Sequence, residues 1–125
     1  LLGYVGKARD QCNLEIAEAE TEILGFHHGE LGGLIAQHWK LPKRIVNAII
    51  HHHTPKQGHD VVCDVVCVAN VVAKRVGAGY VALPQELKVP RDTLERLKLS
   101  PKGVEKMCVR VQNRLDGVLA QYQAA

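Results

Sequence analysis

Between Val61 and Ala73 the chain reads VVCDVVCVANVVA, apolar on nearly every side and interrupted by Asp64 and Asn70. A helix that is apolar all round has to be buried, so this segment dictates the rest: other elements must supply the surfaces that cover it. Extended to Val76, it is expected to form the central helix, with Gly77 and Gly79 ending it. Asp64 and Asn70 then need partners inside the protein. The run falls short of the roughly 18 consecutive apolar residues of a membrane span, and no other stretch comes closer.

The flanking segments are helical in pattern as well. Lys7 to about Ala19 carries Cys12, Ile16 and Ala19 on one face, and Thr21 or Glu22 is placed to open a following helix. Leu31, Leu34, Ile35 and His38 fall at i, i+3, i+4 and i+7, which predicts an apolar stripe. That helix should end near Trp39 and Lys40, because Pro42 suits the first turn of a new helix running to about His53. Trp39, at the end of the stripe, reads as a core anchor. Thr54 to His59 reads as a turn, and Asp60 as the cap of the central helix. Tyr80 to Leu99 reads as a loop with one short helix near Arg91 to Leu97. Ser100-Pro101 starts a long helix in which Val104, Met107, Cys108, Val111, Leu115, Val118, Leu119 and Tyr122 keep helical spacing, as a core-packing terminal helix would. No period-2 strand or internal repeat interrupts the series. The expected fold is all-α, a single compact helical domain over residues 1–125 with about five to seven helices.

Composition removes several functional classes. With 46% hydrophobic and 23% charged residues the chain is neither disordered nor strongly polyionic. Its net charge of +3 comes from 16 scattered Lys and Arg, and five aromatics offer little base stacking, so no nucleic-acid role is indicated. Lys40, Lys43 and Arg44 read as a solvated helix start. No signal peptide is evident at the N-terminus, which begins without methionine and reads as the start of a fragment. Cys12, Cys63, Cys67 and Cys108 show no metal-ribbon spacing; reduced, mostly buried thiols and a cytoplasmic location follow.

Chemistry is concentrated elsewhere. Six of the seven histidines lie between Glu22 and Pro55. Neutral imidazole is a good ligand for Zn, Fe, Ni or Mn, and helices can converge several on one ion. Adjacent histidines inside a helix, however, point about 100° apart, so only one of each neighbouring pair should face a common site. His28, His52 and His53 could equally be interior histidines bonded to Asp64 or Asn70, with His27, His51 and His59 turned to solvent.

Glu22, Gly25, His28-x-x-x-Gly32, then Trp39-x-Leu41-Pro42, Ala48-Ile49-x-x-His52-His53-x-Pro55 and the helix ending Val68-Ala69-Asn70 together resemble the HDOD domain, a regulatory branch of the HD superfamily of metal-dependent phosphohydrolases. The resemblance is strongest from residue 1 to about Asn70, and it implies that the chain lacks the family's preceding helices. Leu1-Leu2-Gly3-Tyr4-Val5-Gly6-Lys7 is similar to the family's L-L-H-D-I-G-K element, but Gly3 and Tyr4 replace the His-Asp dyad. Glycine has no side chain and a neutral phenol is a poor ligand. Asn70 stands in the region of the last aspartate of catalytic relatives.

These departures imply a non-catalytic signal-transduction module acting through protein partners or fused signalling domains, with bacterial pathways and a cyclic-dinucleotide link suggested by the resemblance alone. The alternative is a phosphodiesterase-type, metal-dependent phosphohydrolase. No catalytic residue and no resident cofactor are expected; if a metal binds, His28, His52 and His53 are its ligands. Gly3, Tyr4, Asp64 and Asn70 are the other vestigial-site positions.

Overall fold

The apolar run does become the hub. In the computed structural model, which describes residues 2–12, 14–77 and 82–123, it forms helix α6, Val61–Arg75, in contact with four other helices and one 3-10 turn. Asp60 caps it, accepting a hydrogen bond from the Val62 N–H at 2.9 Å. Cys63, Cys67, Val68, Val71 and Val72 are buried along it. Val104 packs with Val68 and Val72, each fully buried valine being worth about 1.5–3 kcal/mol. All regular elements among the described residues are helical: α1 (Leu2–Cys12), α2 (Ile16–Leu24), α3 (His28–His38), α4 (Lys43–His51), α5 (Pro55–Gly58), α6, a 3-10 turn at Pro84–Leu87, α7 (Arg91–Arg96) and α8 (Pro101–Gln123).

The eight α-helices exceed the expected range because two boundaries fall differently from the sequence pattern. The expected first helix divides into α1 and α2. Glu15 and Glu18 close a capping box at the start of α2, with the Glu15 N–H donating to Glu18 at 3.0 Å. Thr21 and Glu22 then lie inside α2 rather than opening a helix, and Gly25 ends it at φ 78°, a conformation that favours glycine. Residues Pro55–Gly58, expected as a turn, wind into the single turn α5. Gly77 follows α6 at φ 77°; Gly79 lies outside the described residues.

The largest departure concerns α3. Leu31, Leu34 and Ile35 are 46%, 64% and 43% exposed, and His38 also faces outward. Gly29, Gly33 and Ala36 are the buried face instead. A Cβ on Gly29 would sit 2.9 Å from the Ile50 carbonyl oxygen, and one on Gly33 would strike the Ile50 side chain. Close backbone approach to α4 therefore overrides the apolar stripe, because only small residues permit it. Trp39 continues the line of Leu31 and Ile35, so it is 70% exposed and not a core anchor.

Helix α8 is likewise only partly a core helix. Val104 is buried and Met107 and Cys108 pack against the core, whereas Val111, Val118, Leu119 and Tyr122 are exposed. With 23 residues against the 15 of α6, α8 outruns its partner.

Candidate metal centre

The start of α3 and the end of α4 are brought together by the glycine contact. His28 is the first residue of α3, while α4 stops at His51, leaving His52 as its C-cap and His53 just beyond. His52 keeps helical backbone angles, φ −66° and ψ −21°, yet the His52 and His53 rings lie 4.1 Å apart at 47° and both face His28. The expectation that only one of the pair could reach a common site is thus corrected by the ring positions, since both reach His28 Nε2.

Nitrogens carry the convergence. His28 Nε2 is 3.2 Å from His52 Nε2 and 3.0 Å from His53 Nε2. Ligating atoms of all three residues lie within 4.8 Å of one another. Nitrogen ligands about 2.0–2.1 Å from one ion, at angles of 90–110°, are about 2.8–3.4 Å apart. The donor set and the two separations from His28 therefore fit a single divalent transition ion.

Electrostatics favour the ligating form. Burial pushes His53 down to about 3 from the ordinary 6.5, with smaller contributions from His52 and His28. Burial lowers His52 as well, only partly offset by its bond to the Ile49 carbonyl. Both rings are thereby kept neutral at physiological pH, as ligands must be.

Around the nitrogens, Glu20 Oε2 lies 2.6 Å from His28 Nδ1 and accepts the His28 backbone N–H at 2.8 Å. His52 Nδ1 lies 2.8 Å from the Ile49 carbonyl oxygen. Glu20 was invisible as a site residue in the sequence, where it is one of several acids in α2; only the Gly25 turn folds it back on His28. Behind His52 and His53 is a cleft of about 60 Å³ that Asn70 also lines, with Glu15, Lys74 and Glu86. Lys74 Nζ and Glu86 Oε1 form a buried pair there at 3.2 Å.

The remaining site positions are dispersed. Asp64 does not meet the histidines: it is paired with Arg96 at 2.6 Å. No hydrogen bond joins Asn70 to the imidazoles among the described residues. Tyr4 is 69% exposed on α1, and Gly3 is exposed with open space where a side chain would project. His27 is not simply solvent-facing, since its Nδ1 accepts the Gly29 N–H at 3.1 Å and caps α3. His51 is half-buried and His59 is exposed.

A helical domain holding three converging imidazoles is the class that this architecture defines. In sequence, residues 3–55 match the HDOD domain family. The chain is also similar to Ribonuclease Y of Thermus thermophilus, 37% identical over 106 residues, which cover 84% of the chain and 16% of that protein. Ribonuclease Y of Nitratiruptor sp. is 32% identical over 93 residues, covering 74% of the chain and 18% of that protein. The chain thus spans about a sixth of the length of these curated relatives. No solved structure matches it.

Proposed function

We propose that the chain is a non-catalytic regulatory domain of the HDOD type, working through protein partners or fused signalling domains, and that His28, His52 and His53 hold one divalent metal ion in a structural role. The observation that carries this reading is the composition of the cluster: its ligating group is three imidazoles with no carboxylate, among the described residues. Three imidazoles without a bridging carboxylate suit one ion rather than the pair that clamps the attacking and leaving oxygens in two-metal phosphoryl transfer. Glu20 supports His28 from behind. Gly3 and Tyr4 stand where the resemblance calls for a dyad, and neither lines the histidine cleft.

One feature supports a contact-based role. Leu31, Leu34, Ile35 and Trp39 form an exposed apolar stripe, the kind of surface that protein contacts use. No helix among the described residues is long and apolar enough to cross a membrane. The described cysteines are unpaired, and burial raises Cys67 to about 11, in keeping with unreactive thiols in the cytoplasm.

A second reading is favoured by the likeness to Ribonuclease Y: a metal-dependent phosphohydrolase acting on phosphodiesters such as those of RNA. The metal would then polarise a phosphoryl oxygen, while His28, His52 and His53 held it. Incubation of untagged protein with Mn, Fe, Ni or Zn and either bis(p-nitrophenyl) phosphate or single-stranded RNA separates the two. The regulatory reading expects no turnover above a His28→Ala control; turnover lost in that variant would establish the hydrolase.

A further inference from the structure

The hydrogen bonds around the cluster fix more than its shape. A carboxylate and a carbonyl oxygen can only accept, so the proton in the Glu20–His28 contact belongs on His28 Nδ1, and that in the Ile49–His52 contact on His52 Nδ1. A neutral imidazole carries one proton. Where both rings are neutral, Nε2 of each is then a bare lone pair, and these two lone pairs face one another across 3.2 Å. Without a cation between them they repel. His53 differs, because among the described residues no hydrogen bond holds its Nδ1, so it can take the tautomer that donates to His28 Nε2 across 3.0 Å.

We infer that Glu20 is the positioning residue of this cluster: by holding the proton of His28 on Nδ1, it makes His28 Nε2 a metal ligand. One oxygen does both jobs, since Glu20 Oε2 also takes the first backbone N–H of α3, fixing the ring and the helix start together. Such outer partners of ligating histidines set tautomer and ring orientation, and losing one typically costs about 10–100-fold in metal affinity. Helix α2 thereby controls a site to which it contributes no ligand. The consequence for affinity rests on the metal-binding reading above; the tautomer assignment does not.

The test uses metal-free, ¹⁵N-labelled protein near neutral pH, with ring tautomers read from long-range ¹H–¹⁵N correlations. Wild type should show His28 as the Nδ1–H tautomer. Glu20→Ala should convert it largely to Nε2–H, whereas Glu20→Gln, whose amide oxygen still accepts, should retain Nδ1–H. Zinc titration of the same proteins should show about a 10–100-fold loss of affinity in Glu20→Ala and a smaller loss in Glu20→Gln. A wild-type His28 found as Nε2–H or as imidazolium would overturn the inference. So would a Glu20→Ala protein that melts lower but keeps its tautomer, since Glu20 would then be only a helix cap. Absence of zinc binding in wild type would remove the metal reading, leaving the tautomer result to decide the role of Glu20.

Discussion

Asp64, 2% exposed in the first turn of α6, receives Nε and Nη2 of Arg96 at 2.9 and 2.6 Å, a two-pronged bond that ties α6 to α7. Arg96 also reaches Asp92 at 3.0 Å. Removing the guanidinium would strand a buried carboxylate. Arg96→Ala should therefore cost about 2–3 kcal/mol in urea unfolding, toward the low end for buried pairs because the arginine is partly exposed. Arg96→Lys should recover little, as an ammonium cannot match the fork. Wild-type stability in Arg96→Ala would show that the pair does not hold α7 in place. Because Asp64 is spent on this pair, Asp64→Asn should leave metal binding intact.

The α3–α4 contact couples packing to the site. Gly29→Ala would press a methyl group against the rigid Ile50 carbonyl, 2.9 Å from the new Cβ, and overpacking of this kind costs about 1–3 kcal/mol. Because His28 follows the backbone of α3, the same change should also weaken metal binding. Gly117→Ala, where nothing lies within 4 Å, provides the control and should be neutral or slightly stabilising. Equal affinity in Gly29→Ala and Gly117→Ala would separate the glycine contact from the site.

Much of this was legible in the sequence, and the failures share a cause. The α6 run, the Asp60 cap and the Ser100-Pro101 start of α8 are local signals, and the structure contains all three. His28, His52 and His53 were identifiable as a set from the family resemblance. Side-chain pattern alone failed where backbone geometry decided: Gly29 and Gly33 turned α3 over, exposing Leu34 and Trp39. Glu20 and Arg96 were missed because their partners lie 8 and 32 residues away, beyond any local signal.

Acid should destabilise the metal-free protein through the histidines. Burial holds His53 at about 3 against 6.5, so below 6.5 the unfolded chain binds protons that the native state refuses. Stability from this source is complete above about 6.5 and is lost progressively as pH falls toward about 3. His52, also lowered, acts in the same direction. Asp60, held at about 2 by Arg44 against 3.8, loses its contribution only at lower pH, whereas Glu15, raised above 4.5 by burial, acts against the histidines as pH falls. Urea midpoints measured across the upper part of this range should fall with pH, and less so in His53→Gln. Flat midpoints would mean that His53 is protonated in the native state at little cost.

Trp39, at 70% exposure, should be nearly dispensable for folding. Trp39→Ala is expected to change unfolding free energy by no more than about 0.5 kcal/mol, whereas a core tryptophan would cost about 3–5 kcal/mol. Solute quenching should also reach the single indole readily. A large loss of stability would return Trp39 to the core and contradict the outward orientation of the α3 stripe.

The most direct test of the account is a count of metal. Untagged protein equilibrated with Mn, Fe, Ni or Zn, desalted and analysed for metal content, should retain one ion per chain and should lose it in His28→Ala, with no phosphodiester turnover in either protein. Two ions per chain with turnover, or no retained ion at all, would contradict it.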